Sequence, residues 1–263
     1  MKPFNEKLLD ICNKKNNRLC IGLDIDNRKL DNDSLSYMQG YINEIIDATI
    51  DICPVYKINF AFYERLGSKG FDILYKINEY IGKNAITIAD SKRGDIGNSS
   101  KYYAEAIFNT LDYDAITVSP YMGEDSISPF CQFKDRGVFI LCLTSNPGSA
   151  NFQNKIIANE KLYIHVAKLA SKMNVDNNLG LVIGATKTDK MNRVKEFSGN
   201  LPWLMPGVGF QGGSLEDSIK ISSLNNSCGI INVSRGIIYN ESGSLDDIRS
   251  ASLMYTEKIR KLL

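Results

Sequence analysis

Short apolar runs of four to eight residues alternate along this chain with longer stretches in which apolar residues recur at helical spacing. The runs are Arg18 to Leu23, Val55 to Phe60, Ala85 to Ala89, Ala115 to Ser119, Val138 to Leu143, Gly180 to Ala185, Trp203 to Val208 and Gly229 to Val233, eight in all. Between them, Tyr37, Tyr41, Ile45 and Thr49 mark a helix in the first crossover, Tyr103, Ile107 and Leu111 one in the third, and Ile164, Ala167 and Lys168 one in the fifth. Each crossover is long enough to return the chain to a parallel neighbour. Helix starts are signalled by Asn98 and Ser99 before Lys101, by Thr188 and Asp189 before Met191, and by Ser214 with Asp217 three residues on. Eight βα units in succession predict an α/β fold, a (β/α)8 TIM barrel, with residues 2–16 as an extra N-terminal helix capping its floor. No low-complexity linker interrupts the pattern, so residues 1–263 read as a single barrel domain.

Composition narrows the partners. Thirty-one Lys and Arg against 30 Asp and Glu leave a formal charge of +1, so no global field draws in nucleic acid or anionic lipid, and any anion must be recognised locally. The longest apolar runs, such as Val138 to Leu143, fall far short of the roughly 20 residues that span a bilayer, and the first ten residues lack the apolar core of a signal peptide. Six scattered cysteines without a CxxC pair read as reduced core residues, which points to the cytoplasm and away from a zinc site. The single histidine, His165, in a helix-like stretch, makes a triad or a multi-histidine metal centre improbable.

In a barrel of this kind the chemistry sits at the carboxyl ends of the strands. Those ends are polar here: Asp24, Lys57 with Asn59, Asp90 with Lys92, Ser119, Ser145, Gln211 and Arg235. The sharpest segment is Asp90-Ser91-Lys92-Arg93-Gly94-Asp95-Ile96-Gly97. With a strand period of two, Asp90 and Lys92 share the face of Ile86 and Ile88, while Ser91 points the other way. If that face is the interior, a carboxylate and an ammonium lie side by side at the barrel mouth, with Lys57 of the preceding strand able to join them. Unpaired charges on a buried strand face cost several kcal/mol, so these three need one another or a ligand.

The seventh run leads into Pro206-Gly207-Val208-Gly209-Phe210-Gln211-Gly212-Gly213 and the eighth into Asn232-Val233-Ser234-Arg235-Gly236. Glycines let backbone N–H groups approach an anion, and the loops after strands seven and eight often hold phosphate in such barrels. Arg235 would add a bidentate charge. The ligand expected is a phosphate ester whose reacting centre lies nearer strands two and three.

Taken in order, Gly22-Leu23-Asp24, Lys57-Ile58-Asn59-Phe60-Ala61-Phe62-Tyr63, Asp90 to Ser99, Ser145-Asn146-Pro147-Gly148, Pro206 to Gly213 and Asn232-Val233-Ser234-Arg235 resemble the orotidine 5'-phosphate decarboxylase family across nearly the whole chain. The stretch from Lys57 to Glu64 together with Ser119 to Gly123 is similar to the family's longer bacterial and protozoal branch. Phe210 departs from it, being bulky where a small residue is common. The resemblance implies a cofactor-free conversion of orotidine monophosphate to uridine monophosphate in pyrimidine biosynthesis, with no metal. It implies a Lys57, Asp90, Lys92, Asp95 network in which Lys92 gives the proton to C6, and a homodimer in which Asp95 reaches the partner subunit's site. It further implies that Asp24 holds the ribose, Ser145 the pyrimidine, and Gln211 and Arg235 the phosphate, with Asn59 and Ser99 as additional substrate contacts.

Two other readings compete. A magnesium-dependent sugar-phosphate decarboxylase or aldolase of the same superfamily shares the Asp-x-Lys-x-x-Asp segment, but such enzymes carry a metal-binding carboxylate on strand two, where this chain has Lys57. A non-catalytic phosphate-binding barrel would have no need of the costly charged cluster.

Overall fold

The computed structural model describes residues 2–209, 212–239 and 244–263. Eight parallel strands close into a barrel: β1 (Leu19–Gly22), β2 (Val55–Asn59), β3 (Ile86–Arg93), β4 (Ala115–Val118), β5 (Gly137–Leu143), β6 (Leu179–Ile183), β7 (Trp203–Pro206) and β8 (Gly229–Val233). Neighbours in sequence are neighbours in the sheet, and β8 pairs with β1 through Leu19 opposite Ile231 and Ile21 opposite Val233. The expected strands are all present, each within a few residues of its expected ends.

Helices pack around the outside. Leu35–Thr49 turns Met38, Ile42, Ile45, Ile46 and Thr49 inward, so the buried stripe runs beside Tyr41 and leaves Tyr37 exposed. The third crossover is helix Gly97–Glu105, continued by a π-helical turn at Ala106–Thr110, and the fifth carries helix Leu162–Met173. Of the three expected helix starts, Ser214 caps its helix by accepting the Asp217 N–H. The other two need correction. Ile96 in extended backbone precedes the helix that begins at Gly97, which puts Asn98 and Ser99 inside its first turn; Lys187 precedes Thr188, already helical, and neither cap position makes a side-chain capping bond.

The N-terminal helix is Phe4–Lys14, inside the expected 2–16. It buries Phe4, Leu8 and Cys12, one face at a spacing of four, against the inward residues at the floor of the barrel, including Val55, Ile86, Ala115, Phe139 and Ile230. The Phe4 ring meets Phe139 edge-on at 6.0 Å. It fits because β5 starts with Gly137, where a Cβ would stand 2.3 Å from that ring. Removing so buried a Phe side chain typically costs about 3–5 kcal/mol.

Inward positions change character on the way up the barrel. Val55 gives way to Lys57 and Asn59, Ile88 to Asp90, Ala115 to Thr117 and Ser119, and Ile230 to Asn232. The lower barrel is thus a packed apolar core, while the carboxyl ends of the strands hold charge and hydrogen-bonding groups. Among the described residues no helix is long and apolar enough to cross a membrane.

Candidate active site

A cavity of about 980 Å³ opens at the carboxyl ends of the strands. Of the expected residues, Asp24, Lys57, Asn59, Asp90, Lys92, Ser145 and Arg235 line it. Ser99 is exposed in the first turn of its helix and does not line the cavity, and neither does Asp95. Gln211 and Phe210 lie outside the described residues.

The electrostatic centre is Asp90. Lys57 Nζ donates to its Oδ2 at 3.0 Å, and Lys92 Nζ donates to its Oδ1 at 2.6 Å. Lys57 also lies 3.5 Å from Asp24 Oδ1, which links β1, β2 and β3 through charge. Burial works against the Lys57 ammonium, but the Asp24 and Asp90 carboxylates outweigh it and keep Lys57 protonated well above the ordinary lysine range. For Asp90, burial again opposes the charge, and the two ammonium groups overcome it and hold the carboxylate ionised far below its usual range.

The two lysines differ in reach. The Lys57 side chain is only 6% exposed, whereas that of Lys92 is 49% exposed. Lys57 is therefore a fixed counter-charge, and Lys92 is the cation that a ligand can meet. As period two requires, Asp90 and Lys92 both face the cavity and Ser91 does not. The backbone is less regular than that period implies: Lys92 is left-handed (φ 49°), and the β3–β4 register shifts between Ala89 and Arg93.

Thr117 carries no signal of function in the sequence alone. It is buried on β4, donates to Asp90 Oδ1 at 3.0 Å and accepts the Lys92 backbone N–H at 3.0 Å. Its spacing with Ala115 and Ser119 shows only that all three fall on one strand face. Asn232 on β8, which the sequence shows only as the start of the motif leading to Arg235, is buried in the cavity wall.

On the far side, Gly207, Val208, Ser234, Arg235 and Gly236 close the cavity. The chain turns there at Gly207 and Gly209, with φ of 105° and 78°, and the Gly213 N–H bonds back to the Gly207 carbonyl at 3.0 Å. Such backbone is open to glycine and strained for other residues, which explains the repeated glycines. Asp95 is half-buried just beyond β3, its carboxylate accepting the Ile96 N–H at 2.8 Å. Asn59 Oδ1 accepts the Ala61 N–H at 3.3 Å, so part of its role is local. His165 bonds the Ile157 carbonyl and is not among the cavity residues.

Residues 17–244 match the model of the orotidine 5'-phosphate decarboxylase / HUMPS family. The chain belongs to that family. A Dehalococcoides mccartyi protein named orotidine 5'-phosphate decarboxylase is 47% identical over 246 residues, covering 92% of this chain and 90% of its own length. One of that name from Bacteroides fragilis is 42% identical, covering 89% and 88%. The solved Leishmania donovani OMP decarboxylase superposes with a TM-score of 0.87 at 33% identity, covering 97% of this chain and 98% of its own. The charged trio on β2 and β3 and the glycine loop after β7 therefore sit in a decarboxylase family's barrel.

Proposed function

We propose that this chain decarboxylates orotidine 5'-phosphate to uridine 5'-phosphate, with Lys92 delivering the proton that replaces CO2. Family membership and relatives matched over about nine-tenths of their length make it an orotidine 5'-phosphate decarboxylase, a carboxy-lyase of UMP synthesis. The assignment of residues to roles is our own reading. It is carried by one observation, the single carboxylate of Asp90 gripped by two cavity-lining lysines, of which Lys57 is nearly buried and Lys92 is about half exposed.

The glycine loop after β7 and Arg235 take the phosphate, and Gln211 is assigned to the same group. Asp24, tied to Lys57, takes the ribose, with Asn59 beside it, and Ser145 faces the pyrimidine. This leaves C6 and its carboxylate beside Asp90 and Lys92. The C6–carboxylate bond breaks, CO2 departs, and the electron pair stays on C6 in the ring plane, where the ring delocalises it poorly. The Lys92 ammonium stabilises that pair and transfers a proton to it, forming the C6–H bond; solvent then reprotonates the amine. Asp90 near the departing carboxylate disfavours the ground state more than the transition state.

One contact between unit charges at about 4 Å is worth roughly 4 kcal/mol at an effective dielectric near 20. Enzymatic accelerations usually need about 8–23 kcal/mol, so binding energy at the phosphate must also contribute to assembling the site. Asp95, outside its own chain's cavity, is assigned to the site of a twofold-related partner, so that the working unit is a homodimer with shared sites. Ser99, exposed and outside its own chain's cavity lining, is assigned only as a further substrate contact. Six free thiols support a reducing cytoplasmic setting.

The metal-dependent alternative is disfavoured by the position of Lys57, whose ammonium already lies between the carboxylates of Asp24 and Asp90. The test is an absorbance assay of orotidine monophosphate loss after exhaustive chelation with EDTA. Full activity is expected, and a strict magnesium requirement would overturn the cofactor-free reading.

A further inference from the structure

We propose that Thr117 is a positioning residue for the decarboxylation, its hydroxyl fixing the Lys92 backbone and aiming the Asp90 carboxylate at the Lys92 ammonium. The inference deepens the functional reading above and rests on the assignment of Lys92 as proton donor.

A hydroxyl has one proton and two lone pairs. The Lys92 backbone N–H can only donate, and at 3.0 Å it donates to Thr117 Oγ1. That bond uses a lone pair and leaves the hydroxyl proton for Asp90 Oδ1, also at 3.0 Å. The same Oδ1 accepts the Lys92 ammonium at 2.6 Å. Backbone N–H, hydroxyl, carboxylate and ammonium thus form a closed ring that begins and ends on Lys92, with every donor direction set by the one before it.

The ring sits where the backbone needs help. Lys92 has a φ of 49°, a conformation costly for a side-chain-bearing residue, and it falls within the register shift between Ala89 and Arg93. At such a shift the ladder does not supply the usual carbonyl partner. The Thr117 hydroxyl stands in for it, and Thr117 is itself only 1% exposed, locked in the wall of β4. Without that hydroxyl, the amide and the carboxylate oxygen each lose a partner, and the left-handed turn that presents the ammonium loses its anchor. The residues assigned above to phosphate and ribose, Arg235 and Asp24, are not members of this ring, so the loss is expected to fall on the chemical step.

Thr117→Val keeps the shape and removes the hydroxyl; Thr117→Ser keeps the hydroxyl. Steady-state kinetics on orotidine monophosphate, UMP binding and thermal melting would be measured for both, with Lys92→Ala alongside. The valine variant should lose about 10- to 100-fold in kcat, the scale of a misplacement near 1 Å, with KM and UMP affinity within about threefold of wild type. Serine should recover kcat to within about fivefold. Should valine prevent folding, Thr117→Ala carries the same expectation. A lowered melting temperature with unchanged kcat, or a serine variant no better than valine, would overturn the inference. Wild-type turnover in Lys92→Ala would instead remove the proton-donor assignment on which it rests, whereas an inactive Lys92→Ala beside a fully active Thr117→Val removes the role of Thr117 alone.

Discussion

Lys92 folds back onto Asp90, two residues earlier on the same strand, and holds its ammonium 2.6 Å from Oδ1. Same-face neighbours on a regular strand stand about 7 Å apart along the backbone, so this contact is made by the side chain and by the left-handed turn at Lys92. If that exposed ammonium is the proposed proton donor, Lys92→Ala should lower turnover by at least about 10⁴-fold, combining loss of the proton donor and of charge stabilisation. UMP affinity should change by less than about tenfold, since the phosphate end is intact. Titrating UMP into the variant and following UMP formation checks both halves; complete loss of UMP binding would show that the two ends are not separable.

At the other end of the cavity, Arg235→Ala should chiefly raise KM, by about 10- to 100-fold, the range expected for a charge-assisted hydrogen bond to phosphate. A smaller fall in kcat should accompany it, because part of the phosphate interaction serves to assemble the site. Orotidine without its phosphate should be a far poorer substrate for the wild type. Comparable kcat/KM for the two substrates would contradict a phosphate site beside β7 and β8.

Asp95 leaves β3 without entering its own cavity, and the proposed homodimer turns this into a complementation experiment. Asp95→Ala chains and Lys92→Ala chains, each inactive alone, should regain activity when mixed. One of the two sites in each heterodimer then carries both lesions and the other carries none, so activity should approach half the wild-type value per heterodimer. Demonstrated subunit exchange with no recovered activity would mean that Asp95 acts within its own chain.

A stability prediction concerns a lysine far from the chemistry. Lys195 is buried, its ammonium 3.3 Å from the Ser222 carbonyl and 5.2 Å from the Trp203 ring centroid, and burial pushes its pKa down to about 8. An unfolded lysine titrates near 10.4, so between about pH 8 and 10 the unfolded chain binds more protons than the native one, and stability rises with pH. At neutral pH the native state carries the full cost of that buried charge. Lys195→Met should therefore stabilise the protein by about 1–2 kcal/mol at pH 7, and the advantage should shrink as pH rises through 8 towards 10. Denaturant titrations at pH 7 and 9.5 would measure it; a methionine variant less stable than wild type at pH 7 would contradict the assignment.

The sequence made the barrel legible because strands buried on both faces read as unbroken apolar runs, and Gly137–Leu143 and Leu179–Ile183 do so plainly. The Asp90–Lys92 pair was legible because both residues belong to one strand and period two settles their face. Thr117 was not, because a threonine in an apolar strand looks like core filling; its meaning depends on where β4 falls against the shifted part of β3, which is a tertiary fact. The misread helix starts share a cause. Asn98, Ser99 and Thr188 are good capping residues, yet the chain enters those helices from Ile96 and Lys187, set by loops tied to the strands before them.

Phe4, seated over Gly137 and packed with the inward residues of the lower barrel, stops the floor beneath the cavity. A nucleotide bound in the cavity as proposed would have no exit through that packed floor, so UMP would leave by the mouth at which the next orotidine monophosphate arrives. With one shared mouth, substrate and product would compete for the same space, so UMP should inhibit competitively.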